Sequence, residues 1–333
     1  MRRACLIVNP TSGTVGDDPV NVEQLPSIVS ALQSGGITTD VVLTESGTSP
    51  KTLAQRALTQ AYDLVIAAGG DGTVSEVAKG LLHTSMPLGI LPIGTYNNIA
   101  HSLNLPLEIM DACQVVIHGQ IVSIDVGVAN NQHYFFEAAG VGLDAVLFPL
   151  GEEIKGGRWQ RLWQVVTLTL NYQPKRIRMR FDRSIAEARY VADLTTHPTK
   201  RRLWQRLAAK RYELQRLALL VVIANGPYYG SGFTVAPDAA LNDGLLTISV
   251  FRNFSKWELL RHFWSINLGQ HHYNPKIETY RVAEVRLSAR AKLPVHVDGQ
   301  PIGELPVTMK AVKQALRVIV PTHPSTIASL TLN

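Results

Sequence analysis

The sequence predicts two domains: an N-terminal doubly wound α/β domain over residues 1–121, then a β-sandwich over 122–312, with a return segment at 313–333. Three observations carry this expectation. A chain of 333 residues is long for a single core, at roughly 100–200 residues per domain. Up to about residue 120, short apolar runs alternate with stretches of helical spacing, as in a parallel sheet covered by helices. Beyond that point strand-like runs follow one another with few clear helices between them, the pattern of a sandwich.

In order, Cys5–Val8 is a strand and Val22–Gln33 a helix, ended by Ser34, Gly35 and Gly36. Thr38–Leu43 is a second strand and Pro50–Ala61 a second helix, with Pro50 in its first turn. Leu64–Ala68 is all apolar and reads as a strand buried on both faces. Val74, Val77, Ala78 and Leu81 then recur at helical spacing, which starts a helix near Thr73. Leu88–Leu91 is a strand, and helices follow at Ile99–Leu103 and Ile109–Ile117. In the second half Val122–Val128, Tyr134–Ala139, Arg176–Asp182, Leu217–Ala224, Leu245–Phe251 and Val282–Leu287 are strands. Val295–Pro301 is a hairpin turning at Asp298 and Gly299, and Ala315–Val320 is a last strand returning to the first domain.

The chain is organised around the turn between Leu64–Ala68 and the helix after it: Gly69, Gly70, Asp71, Gly72, Thr73. Glycines let the backbone approach a ligand closely, and free N–H groups at a helix start favour an anion. Asp71 inside an anion turn makes sense when a divalent cation bridges its carboxylate to a phosphate. The same residues also fit a structural turn in which Asp71 caps the helix. Two further strand ends carry loops of this kind, Asn9-Pro10-Thr11-Ser12-Gly13 and Gly94-Thr95-Tyr96-Asn97-Asn98. Three such loops at successive strand ends of one sheet point to a nucleotide site. The stretch is neither a Walker A loop nor a G-x-G-x-x-G fingerprint.

Composition narrows the function. Two distant cysteines, Cys5 and Cys113, argue against a disulfide framework, and Cys5 belongs in a buried strand. The apolar run after the N-terminal arginines is too short for a signal peptide, and none later can span a bilayer. The expected location is cytoplasmic, with transient membrane association. Charge is uneven: residues 151–216 hold 16 of the 32 Lys/Arg and 6 of the 26 Asp/Glu. A basic middle on a slightly acidic body faces something anionic. Within it Trp159, Trp163 and Trp204 stand among arginines, and Thr199–Arg216 reads as a basic amphipathic helix with Leu203, Leu207 and Leu214 on one side. That suits an anionic membrane surface, and equally a solvated charged helix. No nucleic-acid motif is present. His271 and His272 lack further ligands at metal spacing, and Met179 and Met309 read as packing residues.

These residues resemble the diacylglycerol kinase catalytic-domain family of lipid kinases. The resemblance is carried in family order by Asn9–Gly13, Gly69–Thr73 with Glu76, Gly89–Thr95 with Asn97, Ile124–Gly127, Asn225-Gly226 with Tyr229-Gly230, Ala236–Ala239, Leu241–Leu246 and Asp298-Gly299. It implies a nucleotide domain related to the NAD kinase and phosphofructokinase folds, a β-sandwich, and a site in the cleft between them. It places ATP phosphates on Asn9, Thr11, Ser12 and Gly13 and on Gly69, Gly70, Asp71, Gly72 and Thr73. Thr44 and Thr95 are further contacts, and Glu76, Gly94 and Asn97 belong to the same nucleotide-binding set. Asp71 takes a role with the catalytic magnesium. The loop at Asp238–Leu245 resembles a structural magnesium loop, with Asp243 as side-chain ligand and Ala240 and Leu245 giving carbonyls; it also fits an ordinary Asn-Asp-Gly turn.

Three positions depart from the family pattern. Asp298-Gly299 is followed by Gln300 where the family has the Glu that acts as general base, and an amide is no base near neutral pH. Asn98 stands where Asp is usual, and His101 where Arg is usual. Asp298, Glu304 or a water is left to serve as base. The expectation is an ATP- and magnesium-dependent kinase for a diacylglycerol-like lipid at a membrane surface, with Asp71, Asp298 and Gln300 as catalytic positions, and a homodimer among the assemblies allowed. Its rivals are a catalytically weak relative that binds nucleotide and lipid, and a soluble-substrate enzyme of the NAD kinase type.

Overall fold

The computed structural model describes residues 1–12, 20–44, 47–155, 158, 160–181, 212–252, 258 and 277–322. The chain divides into two compact units, Met1–Val126 with Lys313–Asn333, and Gly127–Val312.

In the first unit the all-apolar runs become buried parallel strands: β1 (Arg2–Val8), β2 (Ile37–Leu43), β3 (Leu64–Gly69) and β4 (Leu88–Pro92). All residues of β3 and β4 are buried, as continuous apolar runs in a helix-covered sheet require. The helices are α1 (Val20–Ser34), α2 (Pro50–Ala57), α3 (Asp71–Leu81), α4 (Asn98–Ser102) and α5 (Ile109–His118). β1 pairs in parallel with β2 from Arg2–Ile37 to Val8–Leu43, and on its other edge with β3. β3 pairs with β4, and Val318 near the end of β17 (Val307–Val320) pairs in parallel with Leu88. The order is therefore β2-β1-β3-β4-β17. The chain leaves β1 to one side for β2 and then crosses to the other side for β3, so the order reverses between β1 and β3. Carboxyl ends of strands at such a reversal are where α/β sheets bind ligands. Leu6, Ile28, Leu32, Ile66 and Val116 lie in the core below. Cys5 and Cys113 are buried, free thiols pushed up to about 11 by burial, so they pack rather than react.

The second unit is antiparallel. β5 (Gln120–Ala129) ends in it and pairs with β6 (His133–Phe135). Then come β7 (Ala138–Gly142), α6 (Leu143–Lys155), α7 (Arg161–Asn171), β8 (Lys175–Phe181) and β9 (Tyr212–Ala224). After the short β10 (Tyr228–Tyr229) and β11 (Phe233–Thr234) follow β12 (Leu246–Arg252), β13 (Ile277–Val282), β14 (Glu284–Ala289), β15 (Pro294–Val297), β16 (Gln300–Glu304) and the first half of β17. The order is β16-β15-β7-β9-β8-β14-β17, with β12 on β9 and β13 on β12. β9 serves both layers: Tyr212–Ala218 pairs with β8, and Leu220–Ala224 lies between β7 and β12. Phe135, Met179, Phe181, Val221, Ile248 and Met309 fill the sandwich.

Several expectations are corrected. The helix at Pro50 stops at Ala57, after which tighter turns carry the chain to Gln60. Tyr134–Ala139 is two strands, because the backbone N–H groups of Phe136, Glu137 and Ala138 bond to Asp298 rather than to a neighbouring strand. Val282–Leu287 is the end of one strand and the start of another. α6 and α7 were not anticipated. Within Thr199–Arg216, Tyr212–Arg216 is strand, not helix. Leu214 is buried in the sandwich while Glu213 and Gln215 are exposed, a period of two. The remainder of that stretch, Trp159, Trp204, His271 and His272 lie outside the described residues.

Candidate active site

At the carboxyl ends of β1 and β3 two loops are tied together. Asn9 N donates to Ala68 O at 3.0 Å, and Asn9 Nδ2 donates to Thr73 Oγ1 at 2.9 Å. Asn9 Oδ1 accepts from Thr11 N at 3.0 Å and Thr11 Oγ1 at 2.9 Å. Gly70 N donates to Ser12 Oγ at 3.4 Å. Thr44, at the end of β2, joins the same rim through Thr44 N to Val8 O at 2.8 Å. Gly13 lies outside the described residues.

α3 begins at Asp71 with Gly70 as its N-cap, a residue with no side chain to cap the first turn. Gly69 is necessary for packing: a Cβ there would fall 2.7 Å from Thr73 Cβ. Gly72 differs, since a Cβ there would meet nothing within 4 Å. It leaves bare backbone on an exposed first turn, where the N–H groups and the helix dipole favour an anion.

The loop after β4 closes on the same turn. Ile93 N donates to Gly69 O at 3.0 Å, and a Cβ on Gly94 would stand 2.5 Å from Gly70 Cα. Asn97, in the left-handed region at φ 51°, accepts from Gly94 N at 2.8 Å and donates to Gly94 O at 2.9 Å. Thr95 is exposed at the tip. Asp71 Oδ1 accepts from Ile99 N at 2.9 Å, so the carboxylate caps α4 rather than its own helix. Burial pushes the Asp71 carboxyl above its ordinary 3.8, against the opposing pull of the Ile99, Asn98 and Asn97 amides and of His101. Glu76 is paired with Lys79 at 2.8 Å one turn on. The structure thus gathers Asn9, Ser12, Gly69–Thr73, Gly94 and Asn97 around one uncapped helix start.

The remaining expected residues lie in the second unit. Asp298 sits at φ 43° in the β15–β16 turn. Its Oδ2 accepts from Phe136 N at 2.8 Å, and its Oδ1 from Glu137 N at 3.0 Å and Ala138 N at 3.1 Å. Gly299, at φ 79°, lies against Phe148, which a Cβ would approach to 2.0 Å. Gln300 and Glu304 are exposed on β16. Asp243 is ion-paired with Arg281 and accepts from Leu245 N at 2.9 Å. A cation therefore already holds the loop in which Asp243, Ala240 and Leu245 were expected to hold an ion. Among the described residues no group of three or more His, Cys, Asp or Glu could hold a metal.

Sequence reasoning missed one cluster beside this turn. His296 Nε2 lies 3.0 Å from Asp144 Oδ2 and 3.0 Å from Tyr229 Oη, and Tyr229 Oη donates to Asp144 Oδ2 at 3.2 Å. Gly299 N donates to His296 Nδ1 at 3.2 Å, which leaves the ring proton on Nε2, facing Asp144. Burial, then the Asp144 charge, holds the Tyr229 phenol well above its usual range. The available signal was the apolar strand Pro294–Val297, in which His296 is the one polar residue.

The first unit matches the model of the diacylglycerol kinase catalytic domain over residues 3–129. Residues 154–320 match the YegS C-terminal NAD kinase beta sandwich-like domain. A diacylglycerol kinase of Staphylococcus saprophyticus is 28% identical over 323 residues, covering 96% of each chain. One of Staphylococcus carnosus is 27% identical over 323 residues, covering 96% of this chain and 95% of its own. The crystal structure of a diacylglycerol kinase from Bacillus anthracis shares the fold at a TM-score of 0.69 and 21% identity, with 98% of each chain covered.

Proposed function

The chain belongs to the diacylglycerol kinase catalytic-domain family of lipid kinases, and from that premise we propose that it transfers the γ-phosphate of ATP, with magnesium, to a hydroxyl of diacylglycerol or a similar lipid. The observation that carries the reading is the uncapped start of α3 between the β1 and β4 loops, at the reversal of strand order. Phosphoryl transfer asks a protein chiefly to position phosphates and balance their charge. The Gly70–Thr73 amides, Asn9, Thr11, Ser12, Gly94, Thr95, Asn97 and Thr44 are the positioning set, and Glu76, paired with Lys79 of the same helix, belongs to it one turn on.

Asp71 fits a magnesium ion. Its donors are hard oxygens, and its raised pKa marks a carboxylate whose desolvation the neighbouring amides do not fully offset. When bound, the ion neutralises phosphate oxygens. Asp71 would hold that ion at the start of α3, where the bare backbone of Gly72 leaves room for a phosphate. The Asp243 loop, closed by Arg281, contributes no step here.

A weak or inactive relative is the second reading, favoured by one observation. Gln300 replaces a carboxylate, and the Asp298 oxygens are occupied by three backbone N–H groups, which hold it as a structural fastener rather than as a proton acceptor. The loose transition state asks little of a base, so reduced rather than absent turnover is the expectation.

The test is transfer of labelled γ-phosphate to a panel of lipids in mixed micelles. Label should enter one lipid class and fall at least about 100-fold in Asp71→Ala. No label on any lipid, with ATP still bound, would move the assignment to the second reading. Gln300→Glu should raise the rate about tenfold if this position serves proton transfer; an unchanged rate removes it from the mechanism.

A further inference from the structure

On β8 the inward residues are Ile177, Met179 and Phe181, all buried in the sandwich. Strand alternation therefore puts Arg176, Arg178 and Arg180 together on the exposed face. Register extends that face onto both neighbours. Arg286 of β14 stands directly opposite Arg180, and Ser288 opposite Arg178. On β9, Glu213 stands opposite Arg180 and Gln215 opposite Arg178. Glu213 takes up Arg178 at 3.1 Å and Arg180 at 2.9 Å. Toward the start of β8 no such partner exists among the described residues. There Lys175, Arg176, Arg178 and Arg290, with Gln215 and Ser288, line a cavity of about 610 Å³ that has no carboxylate in its wall.

Lys175, Arg176 and Arg290, with Arg178 sharing Glu213, crowd one cavity and repel one another. Nothing in the sandwich core needs them. Guanidinium groups match phosphate oxygens in pairs, and the two neutral side chains add donors, so the cavity suits a phosphate-bearing anion. Its surroundings select the source. Leu217, directly opposite Arg176 on β9, is 46% exposed. An exposed apolar group adds nothing to holding a soluble anion. Beside a basic cavity it suits the headgroup layer of a bilayer.

We propose that this face docks on anionic phospholipid bilayers, with a lipid phosphate in the Arg176–Arg178–Arg290 cavity and Leu217 at the interface. The idea deepens the lipid kinase reading by giving the enzyme a surface for its substrate's membrane, but binding is measured without turnover. The probe is co-sedimentation of the full chain with vesicles of phosphatidylcholine containing about one third phosphatidylglycerol, against phosphatidylcholine alone. Binding should need the anionic lipid and weaken with salt. At roughly fivefold per cation, the triple variant Arg176→Ala, Arg178→Ala, Arg290→Ala should lose about 100-fold in partitioning. The corresponding triple lysine variant keeps the charge and should stay within about tenfold of wild type. Lys51→Ala, an exposed charge in the other unit, should change nothing.

Vesicle binding unaffected by the alanine triple, or lowered as much by Lys51→Ala, overturns the assignment. So does displacement from the vesicles by millimolar inorganic phosphate or glycerol phosphate, which would make this a soluble-anion pocket. Failure of the kinase reading appears separately, as no transfer to micellar diacylglycerol by protein that still binds vesicles. In neutral-detergent micelles the alanine triple should turn over like wild type.

Discussion

Two Asp-Gly turns can be set side by side. Asp71-Gly72 starts α3 in the first unit, and Asp298-Gly299 closes the β15–β16 hairpin in the second. Both aspartates accept backbone N–H groups from a distant stretch, but they differ in what is left over. Asp71 caps the start of α4, where the Ile99, Asn98 and Asn97 amides act on its carboxyl (Ile99 N at 2.9 Å), and Gly72 has open space where a side chain would go. Asp298 receives three amides, and Gly299 is packed on Phe148. What differs is the glycine: the first turn leaves open space there, whereas the second is filled by Phe148 and joins a hairpin to β6 and β7. The same dipeptide therefore leaves an open turn in one place and makes a fastener in the other, and the neighbours decide which.

Asp298→Ala and Asp71→Ala each strand backbone N–H groups and should each cost about 3 kcal/mol in urea unfolding. A loss well under about 1 kcal/mol at either would show that its carboxylate does not hold those amides. The glycines carry the contrast between the turns. Gly299→Ala forces a left-handed alanine against Phe148 and should cost about 2 kcal/mol. Gly72→Ala should stabilise α3 by about 0.5 kcal/mol, and a Cβ where phosphate approaches should weaken ATP binding about tenfold by calorimetry.

The smallest effect is on pH. A carboxyl with a raised folded pKa favours its protonated form in the folded state. Its stabilising contribution is complete below the unfolded pKa and is lost as pH rises through the folded one. On the proposed function, nucleotide binding with magnesium uses the charged form, so it should fall on acidification at a pH above the ordinary 3.8. Asp71→Asn should bind weakly and lose that acid limb. A limb identical in wild type and variant would show that another group titrates.

The first unit was legible because its signals are local. A buried parallel strand is a continuous apolar run, and Leu64–Ala68 followed by three glycines allows few alternatives. The second unit was less so. Leu203, Leu207 and Leu214 sit at helical spacing, yet Leu214 obeys the pairing of β9 with β8, which the sequence of β9 alone does not reveal. The cluster of His296 and Asp144 joins residues 152 positions apart. The partner of Asp243, Arg281, is likewise remote in sequence and belongs to a different strand. Asp298 was recognisable as a turn residue, but its engagement by the Phe136–Ala138 amides depends on where β7 comes to lie beside β15.

The pairing of Val318 with Leu88 has a consequence for synthesis. Strands β1 to β4 leave the ribosome early, but the strand that covers the outer edge of β4 is among the last described parts of the chain to be made. At about 5–20 residues per second, β4 waits on the order of ten seconds or more with that edge bare. The unit encoded first is thus completed late, and a nascent chain stalled within the sandwich would hold an incomplete parallel sheet.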